Sequence, residues 1–223
     1  YAHKNLGRND EALTYFTQYI EKGTDEIKKA DALYNVVLIE RDRGEIKTAI
    51  EKARQYISNI SNTTAAEKIQ FLLADLYSSD GQYDLSNEAL AQYFEQFSQG
   101  EYLGQGRFLL GYNQQAQKNF DDALRSYTDV TAENNKEFWI MAQQNMALIY
   151  LDQEKPEEAA AVYDRLISET EADRVGGKAY FWLAEFYLKK ERYEDSLRIL
   201  EHMEKLSSLP VQEKAGLLYF RAE

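Results

Sequence analysis

A short motif recurs along the chain at a nearly constant interval. The stretch GRNDEALTYF begins at Gly7. Related stretches begin at Gly44, Gly81, Lys118, Glu154 and Glu191, which gives intervals of 37, 37, 37, 36 and 37 residues. A fixed period of this size predicts a repeat architecture, in which each unit packs mainly on its neighbours. These six starting residues are called the reference residues, and other positions are counted from them.

Two positions of the repeat hold small residues. The fifth residue after each reference residue is Ala12, Ala49, Ser86, Ala123, Ala159 or Ser196. The seventh residue before it is Ala74, Gly111, Ala147 or Ala184, with the larger Val37 as the exception. Small side chains at a recurring position predict a seam where two helix backbones approach closely.

Apolar residues between these positions recur at helical spacing, as in Leu73, Leu76 and Tyr77. Each repeat therefore predicts two helices, with the reference residue in the short turn between them. Three of the six reference residues are glycine, which suits a helix C-terminal cap with positive φ.

Helix-start signals separate the repeats. Thr64 with Glu67 predicts a capping box, and the pair Asn134 and Asn135 precedes the helix that contains Trp139. The turns and the starts together predict an all-α chain of helical hairpins.

Three segments show the pattern of the repeat most fully. They are LADLYSSDGQY from Leu73, MALIYLDQEKPEEA from Met146 and LAEFYLKKERYEDS from Leu183. Each has an apolar residue followed by a small one, then an aromatic residue and a turn. This pattern resembles the tetratricopeptide repeat over essentially the whole chain. The resemblance implies a right-handed superhelical solenoid of helix-turn-helix repeats that binds a protein or peptide.

The period differs from that of the family. It is mainly 37 residues, whereas the family repeat has about 34. Extended repeats of this kind are common in bacterial envelope and secretion proteins of the family. The resemblance therefore favours the periplasm or cell envelope over the cytoplasm.

The spacing of the repeats predicts one solenoid of about six repeats over residues 1–223. A partial repeat occupies residues 1–22, complete repeats occupy about 25–59, 64–98, 101–133, 136–170 and 172–207, and an unpaired helix occupies 211–223. We expect residues 1–6 to be the end of a first helix. Leu217, Leu218 and Phe220 lack a partner helix, which points to a fragment of a longer protein or to a homo-oligomer formed through this segment.

Glycines crowd one predicted first helix and its entrance. Gly100, Gly104, Gly106 and Gly111 are four of the 11 glycines in the chain. A glycine in a helix interior costs about 1 kcal/mol relative to alanine. We therefore expect this helix to be frayed.

Charge and apolar patterning exclude two classes of partner. Lys and Arg total 26 against 38 Asp and Glu, which gives a formal net charge of −12. Because this charge repels phosphate backbones and anionic lipids, nucleic acid is not a predicted partner. No apolar run approaches the roughly 20 residues that span a bilayer, so this segment is not expected to insert into a membrane.

Motifs for catalysis, metals and cofactors are missing from the sequence. The chain has no cysteine, and His3 and His202 have no second ligand at metal-binding spacing. The serines lack a nucleophile elbow, and the glycine cluster lacks the Lys-Ser or Lys-Thr pair of a phosphate loop. We predict no catalytic site, no metal and no cofactor, and hence a protein that is not an enzyme.

Surface residues of the first helices remain as candidates for function, because in the family these helices line a concave groove. The tenth residue before each reference residue is Tyr34, Phe71, Phe108, Gln144 or Phe181. Neighbouring groove positions hold Asn35, Leu38, Asp75, Tyr112, Asn145, Leu148, Trp182 and Glu185. The predicted partner-binding groove comprises Tyr34, Asn35, Phe71, Phe108, Tyr112, Asn145, Phe181, Trp182 and Glu185.

Within this groove the aromatic residues differ in interpretation. The regular aromatic ladder at the tenth position is interpreted mainly as packing between adjacent first helices. Tyr112 and Trp182 are stronger binding candidates, since their positions are not aromatic in the other repeats.

The partner is predicted to be apolar or basic. Family members that grip chaperone tails use Lys, Asn and Arg, and this clamp is absent here because Tyr34, Phe71 and Phe108 stand where lysine is needed. The leading hypothesis is a non-enzymatic interaction scaffold. The alternatives are a regulatory or targeting region of a larger multidomain enzyme and a self-associating assembly module.

Overall fold

A computed structural model describes residues 2–57, 64–171 and 174–204 of the chain. These residues form eleven α-helices and no β-strand. The helices are α1 (Ala2–Lys22), α2 (Glu26–Asp42), α3 (Ile46–Ile57), α4 (Thr64–Ser79), α5 (Tyr83–Gln96), α6 (Leu103–Ala116), α7 (Phe120–Thr128), α8 (Ala132–Asp152), α9 (Pro156–Glu169), α10 (Gly177–Lys189) and α11 (Tyr193–Glu204). The predicted all-α fold of helix-turn-helix repeats is confirmed.

The chain divides into two compact units, residues 1–118 and residues 119–223. In the first unit α1 packs on α2, α2 on α3, α3 on α4, α4 on α5 and α5 on α6. In the second unit α7 packs on α8, α8 on α9, α9 on α10 and α10 on α11. The continuous array of about six repeats stays a prediction, and the predicted unpaired helix 211–223, with its self-association, lies outside the described residues.

Five reference residues share one backbone conformation. Gly44 (φ 83°), Gly81 (φ 73°), Lys118 (φ 63°), Glu154 (φ 56°) and Glu191 (φ 58°) all have positive φ. This conformation lets the chain fold back on the last turn of the preceding first helix and closes that helix. The predicted cap is therefore confirmed at the two glycines, and three other residues adopt it although a Cβ atom disfavours it.

Schellman hydrogen bonds close four of these turns. The N–H of Gln82 donates to the carbonyl of Tyr77 at 2.8 Å. The equivalent bonds join Glu45 to Glu40, Lys155 to Tyr150 and Arg192 to Tyr187, at 2.8 to 2.9 Å. They satisfy carbonyls that would otherwise be unpaired at the helix end.

The first reference residue behaves differently. α1 is one helix from Ala2 to Lys22, so Gly7 lies within it. The predicted turn at Gly7, with residues 1–6 as the end of a separate helix, is wrong. The backbone at Gly7 is helical, and a continuous helix satisfies the backbone hydrogen bonds there without a turn.

Both small-residue positions are buried, except at Ala12, which is half-buried. Val37, Ala74, Ala147 and Ala184 from first helices and Ala49, Ala123 and Ala159 from second helices are all 0% exposed. Where serine replaces alanine, its hydroxyl joins the two positions: Ser86 donates to the carbonyl of Ala74 at 2.7 Å, and Ser196 to that of Ala184 at 2.9 Å. The predicted seam of close helix contact is confirmed.

Close packing accounts for two of the four glycines in and before α6. This helix is continuous from Leu103 to Ala116, so the predicted fraying is not observed. A Cβ on Gly106 would lie 2.9 Å from the ring of Phe94, and a Cβ on Gly100 would lie 2.4 Å from the hydroxyl of Tyr93. The small residues let α6 and its entrance approach α5.

Glu67 has a different role from the predicted capping box. Its carboxylate accepts hydrogen bonds from the Tyr93 hydroxyl at 2.8 Å and from the backbone N–H of Glu101 at 2.5 Å. The same tyrosine hydroxyl accepts from the N–H of Tyr102 at 2.9 Å. Burial, followed by the bond to Glu67, strongly raises the pKa of Tyr93. These bonds fix the entrance of α6 against α4 and α5.

The helix start before Trp139 is confirmed. Asn135 has non-helical backbone angles (φ −167°, ψ 104°) within the span of α8. Its side-chain oxygen accepts from the N–H groups of Glu137 at 3.1 Å and Phe138 at 3.3 Å. It therefore caps the main part of α8, as the sequence predicts.

A neutral polar network joins α4, α5 and α6. Asn113 is fully buried on α6. Its side-chain oxygen accepts from the Ser78 hydroxyl at 2.6 Å, and its amide donates to Ser86 Oγ at 2.8 Å and Asn87 Oδ1 at 2.9 Å. Each polar group of Asn113 therefore has a partner, as a buried amide requires.

An ionic network joins α9, α10 and α11. The carboxylate of Asp164 accepts from the Tyr187 hydroxyl at 2.9 Å and from the Arg198 guanidinium at 2.7 Å. Arg192 lies over the ring of Tyr187, 4.3 Å from its centroid, and bonds to Asp195 at 2.7 Å. Burial and the hydrogen bond to Asp164 raise the pKa of Tyr187 to about 12.

Candidate functional site

The first helices of the first unit lie side by side. α2 packs on α4, and α4 packs on α6. Six residues before the reference residue, these helices carry Leu38, half-buried Asp75, and Tyr112, which is 46% exposed. The same position in the second unit holds Leu148, which is 48% exposed, and exposed Glu185.

The aromatic ladder of the first unit is engaged in packing. Tyr34 and Phe71 are half-buried against the core, and Phe108 is only 9% exposed. The ring of Phe71 stacks on that of Tyr102, with centroids 4.9 Å apart and an interplanar angle of 12°. It also meets the ring of Tyr93 edge-on at 6.2 Å. These contacts support the packing interpretation, and contact of the ladder with a partner stays a prediction.

A cleft of about 530 Å³ lies beside Tyr112. Its lining combines acidic, hydroxyl and aromatic side chains from α4, α5 and α6: Asp75, Ser78, Ser79, Asp80, Tyr83, Phe108, Leu109 and Tyr112, with Gly81. Within the described part of the chain, Tyr112 makes no ring contact or hydrogen bond. The tyrosine ring is therefore available to a partner.

The electrostatics of the cleft centre on Asp75. Burial raises the pKa of its carboxyl group, and the charge of Arg41 opposes this rise. Arg41 reaches Asp75 only at 3.8 Å, whereas its Nη2 lies 3.1 Å from Asp42. The carboxylate of Asp75 is thus partly desolvated and only weakly paired.

Second-unit candidates have partners within the unit. The Asn145 amide donates to the Tyr127 hydroxyl at 2.9 Å, and Glu185 pairs with Lys189 at 2.5 Å. Trp182 contributes ring contacts with Tyr163 and Phe186, both at 5.5 Å between centroids, and the Phe186 pair is stacked. Phe181 is half-buried, as is Asn35 of the first unit, whose amide donates to the carbonyl of Asp31 at 2.7 Å. Partner binding by these residues stays a prediction.

Six of the nine residues that line the cleft were not selected by counting along first helices, and Asp80 and Tyr83 are the two of most chemical interest. Asp80 precedes the turn at Gly81, and Tyr83 begins α5. Their position in the sequence could have indicated that they lie in the cleft, because both are close to the turn that follows the helix of Asp75. Exposed Met141, at 44%, is a further apolar residue on α8 that the counting did not select.

The described residues hold no group of side chains suited to a metal ion. In residues 2–57, 64–171 and 174–204 no three His, Cys, Asp or Glu side chains are grouped to hold a metal ion. His202 is half-buried, with Nδ1 2.9 Å from the carbonyl of Arg198. No helix in this part of the chain is long and apolar enough to cross a membrane.

Similar proteins agree with this architecture. RapI in its apo form has a TM-score of 0.71 and 16% identity, over 93% of this chain and 62% of RapI. BtubC from P. vanneervenii has a TM-score of 0.67 and 12% identity, over 94% of each chain. MamA from Desulfovibrio magneticus RS-1 has a TM-score of 0.59 and 14% identity, over 75% of this chain and 89% of MamA. At these identities the similarity shows a shared fold.

A family match comes from the sequence itself. No curated protein matches the chain. The sequence model of the tetratricopeptide repeat matches residues 1–63 and 145–202, just over half of the chain. Members of this family are generally non-catalytic modules of protein-protein interaction. The match and the repeated helical hairpins show that the chain belongs to the tetratricopeptide repeat family.

Proposed function

We propose that this protein is a non-enzymatic scaffold that binds an extended segment of a partner protein across the first helices of its first unit. The observation that carries the proposal is the 46% exposed ring of Tyr112 beside a cleft of about 530 Å³. A large aromatic side chain without a partner at the edge of a concave site is typical of a binding surface.

The expected affinity follows from the area that a partner covers. Covering an aromatic side chain such as Tyr112 contributes about 2 kcal/mol. Two or three such contacts contribute about 4 to 6 kcal/mol before the loss of freedom on ordering a flexible segment, which corresponds to a dissociation constant between about 1 mM and tens of micromolar. The scaffold is therefore expected to bind its partner reversibly.

Selection from a displayed library of random peptides on the immobilised protein tests the proposal. Selected peptides are expected to lose about thirtyfold in affinity for Tyr112→Ala, measured by fluorescence anisotropy, because one buried aromatic contact of about 2 kcal/mol is removed. The matched control is Tyr15→Ala, which removes a 72% exposed tyrosine from α1 of the same unit. Circular dichroism should show the same helical content for all three proteins.

Two results would contradict the proposal. One is a library that yields no peptide above background. The other is a set of peptides whose affinity is the same for Tyr112→Ala as for the unchanged protein.

The proposal also includes the cellular location of the protein. The 37-residue period supports a bacterial envelope or secretion-related complex. Fractionation of the native host with an antibody to the protein tests it, and recovery in the cytoplasmic fraction alone would contradict it.

A further inference from the structure

We infer that the cleft between α4, α5 and α6 selects partner segments that place an arginine or lysine next to an apolar side chain. This inference rests on the proposed function, since it specifies what the first-helix surface of the first unit binds. It follows from the charges of the cleft lining, from the pairing of Asp75 and from the shape of the aromatic wall.

All charged side chains in the lining of the cleft are acidic. Asp75 and Asp80 are its two carboxylates, and among the described residues that line it there is no lysine or arginine. The whole chain also has an excess of acidic residues, with a formal charge of −12. A cationic segment is therefore attracted to this surface, and an acidic segment is repelled.

Asp75 lacks a close partner of its own. Its ion pair with Arg41 is 3.8 Å long, at the limit of such contacts, and it receives no hydrogen bond within the described part of the chain. Arg41 is engaged by Asp42 through both Nε, at 3.2 Å, and Nη2, at 3.1 Å. An incoming guanidinium or ammonium group would supply the hydrogen bonds that Arg41 does not.

Partial burial of the Asp75 carboxylate favours binding of a cationic group. The raised pKa of Asp75 shows that its charged form is poorly solvated in the absence of a partner. A charge-assisted hydrogen bond from a partner cation offsets this lost solvation. A neutral side chain at the same place would leave the carboxylate both covered and unpaired.

The aromatic wall fits the rest of a basic side chain. Tyr83, Phe108 and Tyr112 line the cleft together with the two carboxylates. The methylene stem of lysine or arginine packs on apolar surface while its charged head stays polar, and a guanidinium also stacks on a tyrosine ring. An adjacent apolar residue of the partner would cover the half-exposed ring of Tyr112.

The test uses peptides selected from the random library on the unchanged protein. They are expected to be enriched in arginine or lysine beside an apolar residue. Replacing that basic residue by glutamine in the peptide is expected to lower affinity about five- to tenfold, as is Asp75→Asn in the protein. The matched control is Glu95→Gln, which removes one charge from an exposed site on α5 away from the cleft lining.

Salt provides a second measurement. Raising ionic strength to about 1 M, where the screening length is about 3 Å, should weaken the basic peptide and leave its glutamine version nearly unchanged. Because the glutamine change is made in the peptide, this result does not depend on the folding of any protein variant.

The outcomes separate the two proposals. Peptides that require Tyr112 but show no basic enrichment, and that bind Asp75→Asn as tightly as the unchanged protein, would overturn this inference and leave the scaffold proposal standing. A library that yields no peptide, or peptides indifferent to Tyr112→Ala, would overturn both. Equal losses for Glu95→Gln and Asp75→Asn would assign the preference to overall charge and also overturn the inference.

Discussion

Asn113 in the first unit and Ile149 in the second stand at the same position, five residues before the reference residue. Both are fully buried. Ile149 fills its site with apolar atoms, whereas Asn113 is held by hydrogen bonds to Ser78, Ser86 and Asn87. The same place in the repeat thus tolerates either kind of side chain, provided that its neighbours match.

The junctions between repeats differ in the same way. The α4–α6 junction uses neutral, buried groups, and the α9–α11 junction uses Asp164 and Arg198, which remain about one third exposed. Removal of one member of a buried neutral network leaves buried polar groups without a hydrogen-bond partner, while a half-exposed ion pair contributes little and is screened by salt. The small-residue seam thus defines the hairpin in both units, whereas the chemistry of the junctions differs between them.

Removing the Asn113 amide is expected to have the largest effect. Asn113→Leu should lower the free energy of unfolding by about 3 kcal/mol, because the Ser78 hydroxyl and the Asn87 side chain lose a buried partner. Urea denaturation followed by circular dichroism measures it. The control at the equivalent position, Ile149→Leu, should cost less than about 1.5 kcal/mol. A more stable Asn113→Leu protein would show that the neutral network is dispensable.

The tyrosine of the ionic junction is expected to contribute less. Tyr187→Phe removes one hydrogen bond to Asp164 and should cost about 1 kcal/mol near neutral pH. Arg198 still pairs with Asp164 in this variant. Exposed Tyr193, on α11, is the control, and its change to phenylalanine should leave stability within about 0.5 kcal/mol of the unchanged protein.

The pH dependence sharpens this second prediction. The pKa of Tyr187 is raised from 10.0 to about 12 in the folded protein. The folded state therefore keeps its proton longer than the unfolded state, and the contribution of the hydrogen bond is complete below pH 10.0 and lost as the pH approaches about 12. The stability difference between the two proteins should shrink over this interval. A constant difference would contradict the assigned hydrogen bond.

Turn residues should show the smallest effect. Glu154→Gly and Glu191→Gly should each stabilise the second unit by about 0.5 to 1 kcal/mol, since glycine adopts positive φ without strain. Gly81→Ala should destabilise the first unit by a similar amount, and a Cβ there would meet nothing within 4 Å, so the effect is one of backbone conformation alone. Equal stability of all these variants in thermal unfolding would show that the turns are not strained.

Features that repeat along the chain were predictable from sequence. The helical hairpins, the seam and the positive φ at Gly44 and Gly81 depend on residues close in sequence or on a position seen several times. At Gly7 the same motif predicts a turn, but the backbone continues there as part of α1.

Contacts between residues that are far apart in the sequence, and that occur in only one repeat, were not predictable from the sequence. Glu67 bonds to residues 26 and 34 positions away, and nothing near Glu67 in sequence indicates either partner. In the sequence, Asn113 is a polar residue at a repeat position that is otherwise apolar. Its role becomes clear only in the structure, where Ser78 and Ser86 lie beside it. Likewise, counting along first helices selected Asp75 and Tyr112 but not Asp80, which shares their cleft.

The network around Asn113 also limits which repeats can be neighbours when a chain of this kind gains or loses repeats. Copying or deleting one 37-residue segment preserves the seam, so most hairpins could in principle exchange places. A hairpin that carries this asparagine tolerates only a neighbour with hydroxyl and amide groups at the matching places. The buried amide of Asn113 therefore favours one particular neighbouring repeat over the others during duplication, recombination or design.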